Sequence, residues 1–138
     1  MRYKYKIDRE TRVAVEHRLR RYETDKKELA EFRAAMLPSA VARYSLTPGS
    51  HEAHRSTEET AEHIMDDPTV KHLEARVEAV ERAMKRLSPI DRRIVKLAYF
   101  RSGITPTGAG LKIGLTKSAT YCHINYILGV CAEELHEF

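Results

Sequence analysis

Two groups of side chains in this 138-residue chain could be catalytic or metal-binding, and the first is the adjacent pair Cys122 and His123. A thiol next to an imidazole can supply a nucleophile and its general base. Neighbouring residues on a helix point about 100° apart, however, and no third group or oxyanion donor is spaced to support the pair. The sequence therefore predicts no catalytic residues and a protein that is not an enzyme.

The second group consists of histidines, which are common metal ligands. Four of them lie in the middle of the chain, at His51, His54, His63 and His72. Structural zinc sites usually combine histidines with paired cysteines at fixed spacing, and no cysteine pair accompanies these four. We therefore expect solvated histidines, no bound metal and no cofactor.

A third group of side chains is suited to binding, and it lies on one face of a helix predicted to begin after the capping residue Thr116. The inward stripe of that helix is Thr120, Ile124, Ile127, Leu128, Cys131 and Leu135. The opposite face, which includes Gly129, carries small and hydrogen-bonding residues instead of the Glu and Lys mixture of an ordinary solvated face. Such side chains can contact base edges in the major groove. The predicted base contacts are Lys117, Ser118, Tyr121, Cys122 and Asn125.

The first of two shorter helices that must position this face begins at Ser88, a capping residue followed by proline at N1. We expect it to end at Gly103. Its inward stripe is predicted to be Ile90, Ile94, Leu97, Ala98 and the ring of Tyr99 or Phe100. This arrangement leaves Arg92, Arg93 and Lys96 near solvent.

The second shorter helix has the same start signal, Thr105 followed by proline, and is predicted to run through Leu111 to Gly114. Gly108 and Gly110 each cost about 1 kcal/mol of helix propensity relative to alanine. We therefore expect another backbone to approach these glycines where two helices cross. The turn after Gly114 leads into the helix with the polar face, so the pattern predicts a helix-turn-helix that binds DNA.

The charge distribution favours a polyanionic partner. The net charge is +4, and residues 88–132 contain six basic side chains and one acidic one, a local balance of +5. Basic surfaces of this kind bind the phosphates of double-stranded DNA. The predicted phosphate contacts are Arg92, Arg93, Arg101, Thr105, Thr107, Lys112 and Thr116.

Residues 87–134 resemble region 4 of the sigma factors. The resemblance rests on the helix LSPIDRRIVKLAYF, on the helix and turn GITPTGAGLKIGLT, and on a recognition helix that ends in an apolar tail. It implies a DNA-binding helix-turn-helix at the C-terminus and makes RNA polymerase a further candidate partner.

The N-terminal region is predicted to form a long helix that is capped by Asp8 and continues to about residue 37. Its apolar residues are Val13, Val15, Leu19, Tyr22, Leu29, Phe32, Met36 and Leu37. Residues 22–28 contain no aliphatic side chain, so we expect either a break or a solvent-bridging helix there. The preceding alternation of Arg2, Tyr3, Lys4, Tyr5 and Lys6 suits a basic arm on nucleic acid, a frayed terminus or an edge strand.

The middle of the chain carries the most regular apolar stripe. Residues 38–57 are predicted to form a flexible polar loop and residues 57–65 a short helix, after which Asp67 caps a helix over 68–87. The stripe of this last helix has heptad spacing and must be covered by the N-terminal helix, by a second copy of the chain, or by both. A homodimer is therefore one expected form. The predicted oligomerisation seam is Val70, Leu73, Val77, Val80, Met84 and Leu87.

The order of these elements is similar to that of the RinA and ArpU family of phage late transcriptional regulators. The resemblance is one of layout: a long basic helix, a polar loop, the segment STEETAEHI, the heptad helix, LSPIDRRIVKLAYF and the helix-turn-helix. It implies promoter binding and control of late phage genes. Two other classes stay open, a small terminase-like DNA-packaging subunit and a sigma-like factor that docks on polymerase.

The sequence thus predicts an all-α protein with three regions: residues 1–67, the heptad helix 68–87 and a DNA-binding domain over 88–138. No run of eighteen apolar residues and no signal-peptide pattern is present, so we expect a cytoplasmic protein of a bacterial host cell without a membrane partner. Cys122 and Cys131 are too far apart on one helix to form a bridge, and we expect reduced thiols.

Overall fold

The computed structural model describes residues 5–35, 67–101 and 103–136, and within these ranges the chain is helical and contains no strand. The predicted all-α class is confirmed. The helices are α1 (Arg9–Ala34), α2 (Pro68–Arg86), α3 (Pro89–Val95, continued by a π-helical turn at Lys96–Phe100), α4 (Pro106–Lys112) and α5 (Lys117–Leu135). The predicted loop over 38–57 and helix over 57–65 lie outside the described residues.

The chain divides into two compact units, one formed by Met1–Glu23 with Arg76–Phe138 and the other by Thr24–Ala75. These boundaries differ from those predicted at residues 67 and 87, because α1 and α2 each continue from one unit into the other. The first unit contains the N-terminal half of α1 together with α3, α4 and α5.

Helix α1 begins where its capping residue predicts, since the Thr11 amide donates to Asp8 Oδ1 at 2.7 Å. It continues without a break through residues 22–28, so the second of the two predicted alternatives is the one observed, and it ends at Ala34 instead of residue 37. Two of its apolar residues, Val13 and Phe32, are exposed and do not belong to the buried face. Val13 lies two residues, or about 200°, from the buried Val15 and cannot share its face.

Helix α2 is capped by Asp67, whose Oδ1 accepts from the Thr69 amide at 2.7 Å. The predicted seam is covered within a single chain: Met84 is half-buried, and the buried residues are Val70, Leu73, Val77, Val80 and Leu87. Ala79 and Ala83 are buried as well, so the apolar stripe is wider than a two-position heptad seam. A second copy of the chain is therefore not needed to cover it.

Helix α3 is capped by Ser88, whose hydroxyl accepts from the Asp91 amide at 3.2 Å, with proline at N1. The predicted core residues Ile94, Leu97, Ala98 and Tyr99 are buried. Ile90 is 48% exposed, against expectation, and Asp91 is buried in its place. Residues 91, 94, 95 and 98 form one continuous face at helical spacing, and residue 90 lies outside it.

Helices α3, α4 and α5 pack against one another around the buried stripe of α5. In that stripe Thr120, Ile124, Ile127, Leu128 and Cys131 are buried as predicted, and Leu135 is half-buried. Within residues 5–35, 67–101 and 103–136, none of the helices combines the length and the hydrophobicity that spanning a membrane requires.

Candidate nucleic-acid interface

The turn that joins α4 to α5 is built by a glycine-terminated helix end. Gly114 has φ of +92°, a left-handed conformation that favours glycine. The Leu115 amide donates to the Gly110 carbonyl at 2.9 Å, and the Gly114 amide donates to the Leu111 carbonyl at 3.1 Å. This pair of bonds is the Schellman motif, which stops α4 and redirects the chain into α5.

Helices α4 and α5 cross at Gly110. A Cβ atom at this position would overlap the Thr120 side chain, so only glycine allows the two helices to approach this closely. The Thr120 hydroxyl also donates to the Thr116 carbonyl at 2.8 Å. The predicted helix crossing is found at Gly110, although the atoms that approach belong to the Thr120 side chain and not to a backbone. A Cβ at Gly108 would meet only side-chain atoms of Ile104 and of its own capping residue, Thr105.

Both helices carry the predicted threonine caps. Thr105 Oγ1 accepts from the Gly108 amide at 3.0 Å, and Thr116 Oγ1 accepts from the Ala119 amide at 3.1 Å. A hydroxyl that accepts in this way keeps its own hydrogen as a donor, so both threonines can still donate to an anion. Both are exposed, whereas Thr107 is half-buried.

The first two turns of α5 expose four of the five predicted base contacts. They share one open surface, which we call the tip of α5, and consist of Lys117, Ser118, Tyr121 and Cys122. Tyr121 is 63% exposed, although it is a large aromatic residue. The tip therefore presents a cation, two hydroxyls and a thiol on one side of a firmly packed helix.

The fifth predicted base contact, Asn125, lies under the N-terminal segment. Its Nδ2 donates to the Tyr5 carbonyl at 2.6 Å, and its side chain is half-buried. Gly129 was predicted to share the open face, but it is buried, because the Tyr5 ring occupies the space that a Cβ atom at this position would need. The Tyr5 ring also lies 5.8 Å from the Tyr126 ring in a tilted pair. The open face therefore ends near Asn125.

Burial raises the pKa of Tyr5, and a hydrogen bond to Glu133 raises it further. The tyrosine is thus held to α5 through its ring, its carbonyl and its hydroxyl. Of the predicted basic arm, Lys6 is exposed, and Arg2 and Lys4 lie outside the described residues.

The predicted phosphate contacts fall into two sets. Arg93, Arg101 and Lys112 are exposed, as expected. Arg92 is half-buried instead of near solvent, since its Nε donates to the Met84 carbonyl at 2.7 Å and its Nη2 to the Lys85 carbonyl at 3.2 Å. Its cation thereby satisfies carbonyls at the C-terminal end of α2, where the helix dipole favours positive charge.

Polar contacts that the sequence did not predict hold α5 in place at two points. Asp91 on α3 is buried, and its Oδ1 lies 2.7 Å from His123 Nδ1. At the other end of α5, the arginines of α2 pair with its acidic last turn: Arg82 contacts Glu134 at 3.0 Å, and Arg86 contacts Glu133 at 2.7 Å. These hydrogen bonds lower the pKa of both carboxyl groups. The negative charges of Glu133 and Glu134 are thus balanced by arginines of the same chain.

The N-terminal half of α1 contacts the π-helical turn through Tyr99. The Tyr99 hydroxyl donates to Glu16 Oε2 at 3.0 Å, and burial raises the pKa of this tyrosine far above its ordinary value. The neighbouring Phe100 ring stacks on Tyr22 with centroids 4.7 Å apart. The π-helical turn therefore places two adjacent aromatic rings against α1. Turns of this type occur often at functional sites.

Among the residues that the structure describes, no group of three or more His, Cys, Asp or Glu side chains is placed to hold a metal ion. Cys122 and Cys131 are both free thiols, the first exposed and the second buried.

The chain matches no protein-family model, no curated protein and no solved structure.

Proposed function

We propose that this protein binds double-stranded DNA by placing the tip of α5 in the major groove, with α4, the turn and α5 acting as a helix-turn-helix. The observation that carries the proposal is the contrast on α5 itself. A long helix is packed along its core side, yet its first two turns leave Lys117, Ser118, Tyr121 and Cys122 exposed together. Recognition helices contact base edges with their N-terminal residues in this way.

The helices that support the tip also expose side chains that are suited to contacting a phosphate backbone. Arg93, Arg101 and Lys112 are exposed cations, and the capping hydroxyls of Thr105 and Thr116 remain able to donate. Such contacts set the position of a protein on the duplex, whereas contacts to base edges set its sequence preference. Arg92 is not assigned a phosphate here, because its donors are used at the end of α2.

The biological role that we infer is sequence-specific regulation of transcription, and the resemblance to the RinA and ArpU regulators points to late genes of a phage. The proposal includes no catalytic step and no cofactor. The Cys122 thiol is exposed, whereas Nδ1 of the adjacent His123 contacts Asp91. The thiol and the imidazole therefore do not face each other as a nucleophile and its base would.

A second candidate is a factor that docks on RNA polymerase, and the exposed apolar residues Ile90 and Leu111 favour it. Leu111 is 54% exposed and Ile90 is 48% exposed. Burial of such side chains under a protein partner would be favourable, since it removes apolar surface from water. Retention of polymerase by the immobilised protein in the absence of DNA, and its loss in a variant carrying Ile90→Asp and Leu111→Asp, would favour this candidate.

Salt dependence of duplex binding tests the first proposal. With three cations on phosphates, Arg93, Arg101 and Lys112, the slope of log K against log salt concentration should be about −3, because neutral hydroxyl contacts release no counterions. Fluorescence anisotropy with a labelled mixed-sequence duplex measures this slope directly. An affinity that does not change between low and high salt would contradict the proposal.

A further inference from the structure

A second surface of the same unit has the properties of a phosphate-binding site. It is an open groove between α1, the π-helical turn and the segment that leads into α4, and its lining includes Arg20, Arg101 and Thr105. Among the described residues that line it, none is acidic. The sequence did not single out Arg20, because α1 is distant in the chain from the predicted DNA-binding domain.

Arg20 is positioned in this groove by aromatic and acidic neighbours. Its guanidinium lies 5.6 Å from the centroid of the Tyr99 ring, which is an attractive cation–π arrangement. It also lies 3.6 Å from Glu16, a carboxylate that contacts Arg12 at 3.2 Å and accepts from the Tyr99 hydroxyl. Since two arginines share one carboxylate, a net positive charge remains beside the groove. The Arg20 side chain is 57% exposed and keeps donors for another anion.

The position of the groove relative to the tip of α5 suits a duplex. The groove lies at the start of α4, and the end of α4 leads through the Gly114 turn to the start of α5. Helix α4 has seven residues, which corresponds to about 10 Å at 1.5 Å per residue. The major groove of B-DNA is about 12 Å wide. A helix tip inside the major groove and a phosphate at its edge are therefore separated by a distance that α4 can bridge.

We propose that the groove between α1 and the start of α4 binds the phosphodiester backbone of the same duplex, with Arg20 and Arg101 contacting one or two phosphates. This inference rests on the proposed function and extends it, because it adds α1 to the DNA-binding surface. Arginine suits this role because its planar set of donors matches the geometry of phosphate oxygens.

The test compares charge removal at Arg20 with charge removal on the other side of the same helix. Arg18 precedes Arg20 by two residues, so it lies about 200° away around α1 and lines a different groove. The variants are Arg20→Gln, Arg20→Lys, Arg101→Gln and the control Arg18→Gln, all in the full chain. The probe is a labelled mixed-sequence duplex, and circular dichroism checks the helix content of each variant.

We expect Arg20→Gln and Arg101→Gln each to weaken binding at low salt by roughly three- to tenfold and to reduce the salt slope by about 1, because each removes one phosphate contact. Arg20→Lys should keep the wild-type slope, and so should Arg18→Gln. If Arg20→Gln loses helix content, Arg20→Met takes its place, because it removes the charge and keeps the apolar stem of the side chain. Arg101→Gln alone cannot decide the outcome, since Arg101 is also a phosphate contact in the proposed function.

Wild-type affinity and slope in a folded Arg20→Gln variant, together with the expected loss in Arg101→Gln, would overturn the inference while leaving the proposed function intact, and an acidic protein partner would then be the better occupant of the groove. An equal loss in Arg18→Gln would also overturn it, because the effect would reflect net charge alone. Absence of salt-dependent duplex binding by the wild-type chain would overturn the proposed function itself, and the groove assignment with it.

Discussion

The first two turns of α5 expose Lys117, Ser118, Tyr121 and Cys122, whereas six consecutive residues of its second half, 127–132, are all buried. Burial of every position through more than one turn means that the second half is covered on all sides. Packing against α3 and α4 covers the apolar stripe, and the Tyr5 ring covers the opposite side at Gly129. The C-terminal half of α5 is therefore fixed in the core, whereas its N-terminal end is open to solvent.

This contrast shows how a short exposed tip can be held rigidly. Functional side chains need supporting residues that fix their position, and a site on a well-packed helix is more precise than one on a loop. Contacts at two points support α5: Asp91 contacts His123 at the end of the second turn, and Arg82 and Arg86 contact the last turn. The tip itself contributes little to the core and is available for a partner.

The largest expected difference between the two halves is in thiol reactivity. Cys122 is exposed at the tip, whereas Cys131 is buried and its burial raises the pKa from 9.0 to about 12. Since only the thiolate reacts, and since Cys131 becomes accessible only when the chain opens, iodoacetamide should modify Cys122 at least about a thousandfold faster. Mass spectrometry of timed samples measures both rates. Cys122→Ser is the control, in which the folded chain should stay unmodified. Equal rates for the two thiols would contradict the anchored second half.

The raised pKa of Cys131 predicts that the folded chain becomes less stable at alkaline pH. Below pH 9 Cys131 is protonated in both the folded and the unfolded chain, so it has no effect on stability. As the pH rises from about 9 to about 12, the unfolded chain loses this proton first, and the folded state is therefore destabilised.

A second expected difference concerns the free energy of unfolding. Ile127 is completely buried in the second half, and Ile127→Ala should cost about 2 to 5 kcal/mol because it leaves a cavity. Tyr121→Ala at the tip should change stability by about 0.5 kcal/mol or less. Urea unfolding followed by circular dichroism compares the two variants. A Tyr121→Ala cost similar to that of Ile127→Ala would show that the tip is part of the core.

Many of these features could be predicted from the sequence, since their signals are local. The caps at Asp8, Asp67, Ser88, Thr105 and Thr116 were each predicted from a residue type next to an apolar pattern, and each is confirmed by a hydrogen bond. A helix crossing at Gly110 was predicted from an unfavourable residue inside a helix, and the structure has it there, with the Thr120 side chain as the neighbour.

The failures concern contacts between residues that are distant along the chain or on neighbouring helices. The bond from Asn125 to Tyr5 joins residues separated by 120 positions, and no periodic pattern encodes it. Arg92 was expected near solvent because charged residues usually are, but the end of α2 lies within its reach. The buried Asp91 had a weak signal, since it lies at helical spacing from Ile94 and Val95, and its partner on α5 could not be identified from spacing.

The smallest expected difference in stability between a covered and an exposed residue of α5 is at Asn125, where the covered and open halves of the helix meet. Asn125→Ala removes the donor to the Tyr5 carbonyl and should cost about 1 kcal/mol of stability. Ser118→Ala, the matched change on the exposed side, should cost about 0.5 kcal/mol or less. Urea unfolding distinguishes these values, and an Asn125→Ala variant as stable as the wild type would show that the Tyr5 segment does not hold Asn125 in solution.

The most direct test of the central claim, that the tip of α5 contacts DNA, uses the natural thiol at that tip. The rate of Cys122 alkylation is measured at low salt with increasing concentrations of mixed-sequence duplex, while anisotropy reports the fraction of protein bound. We predict that the rate falls in proportion to the bound fraction and recovers when added salt releases the duplex. An alkylation rate that stays constant while the protein becomes fully bound would place the DNA elsewhere and contradict the account.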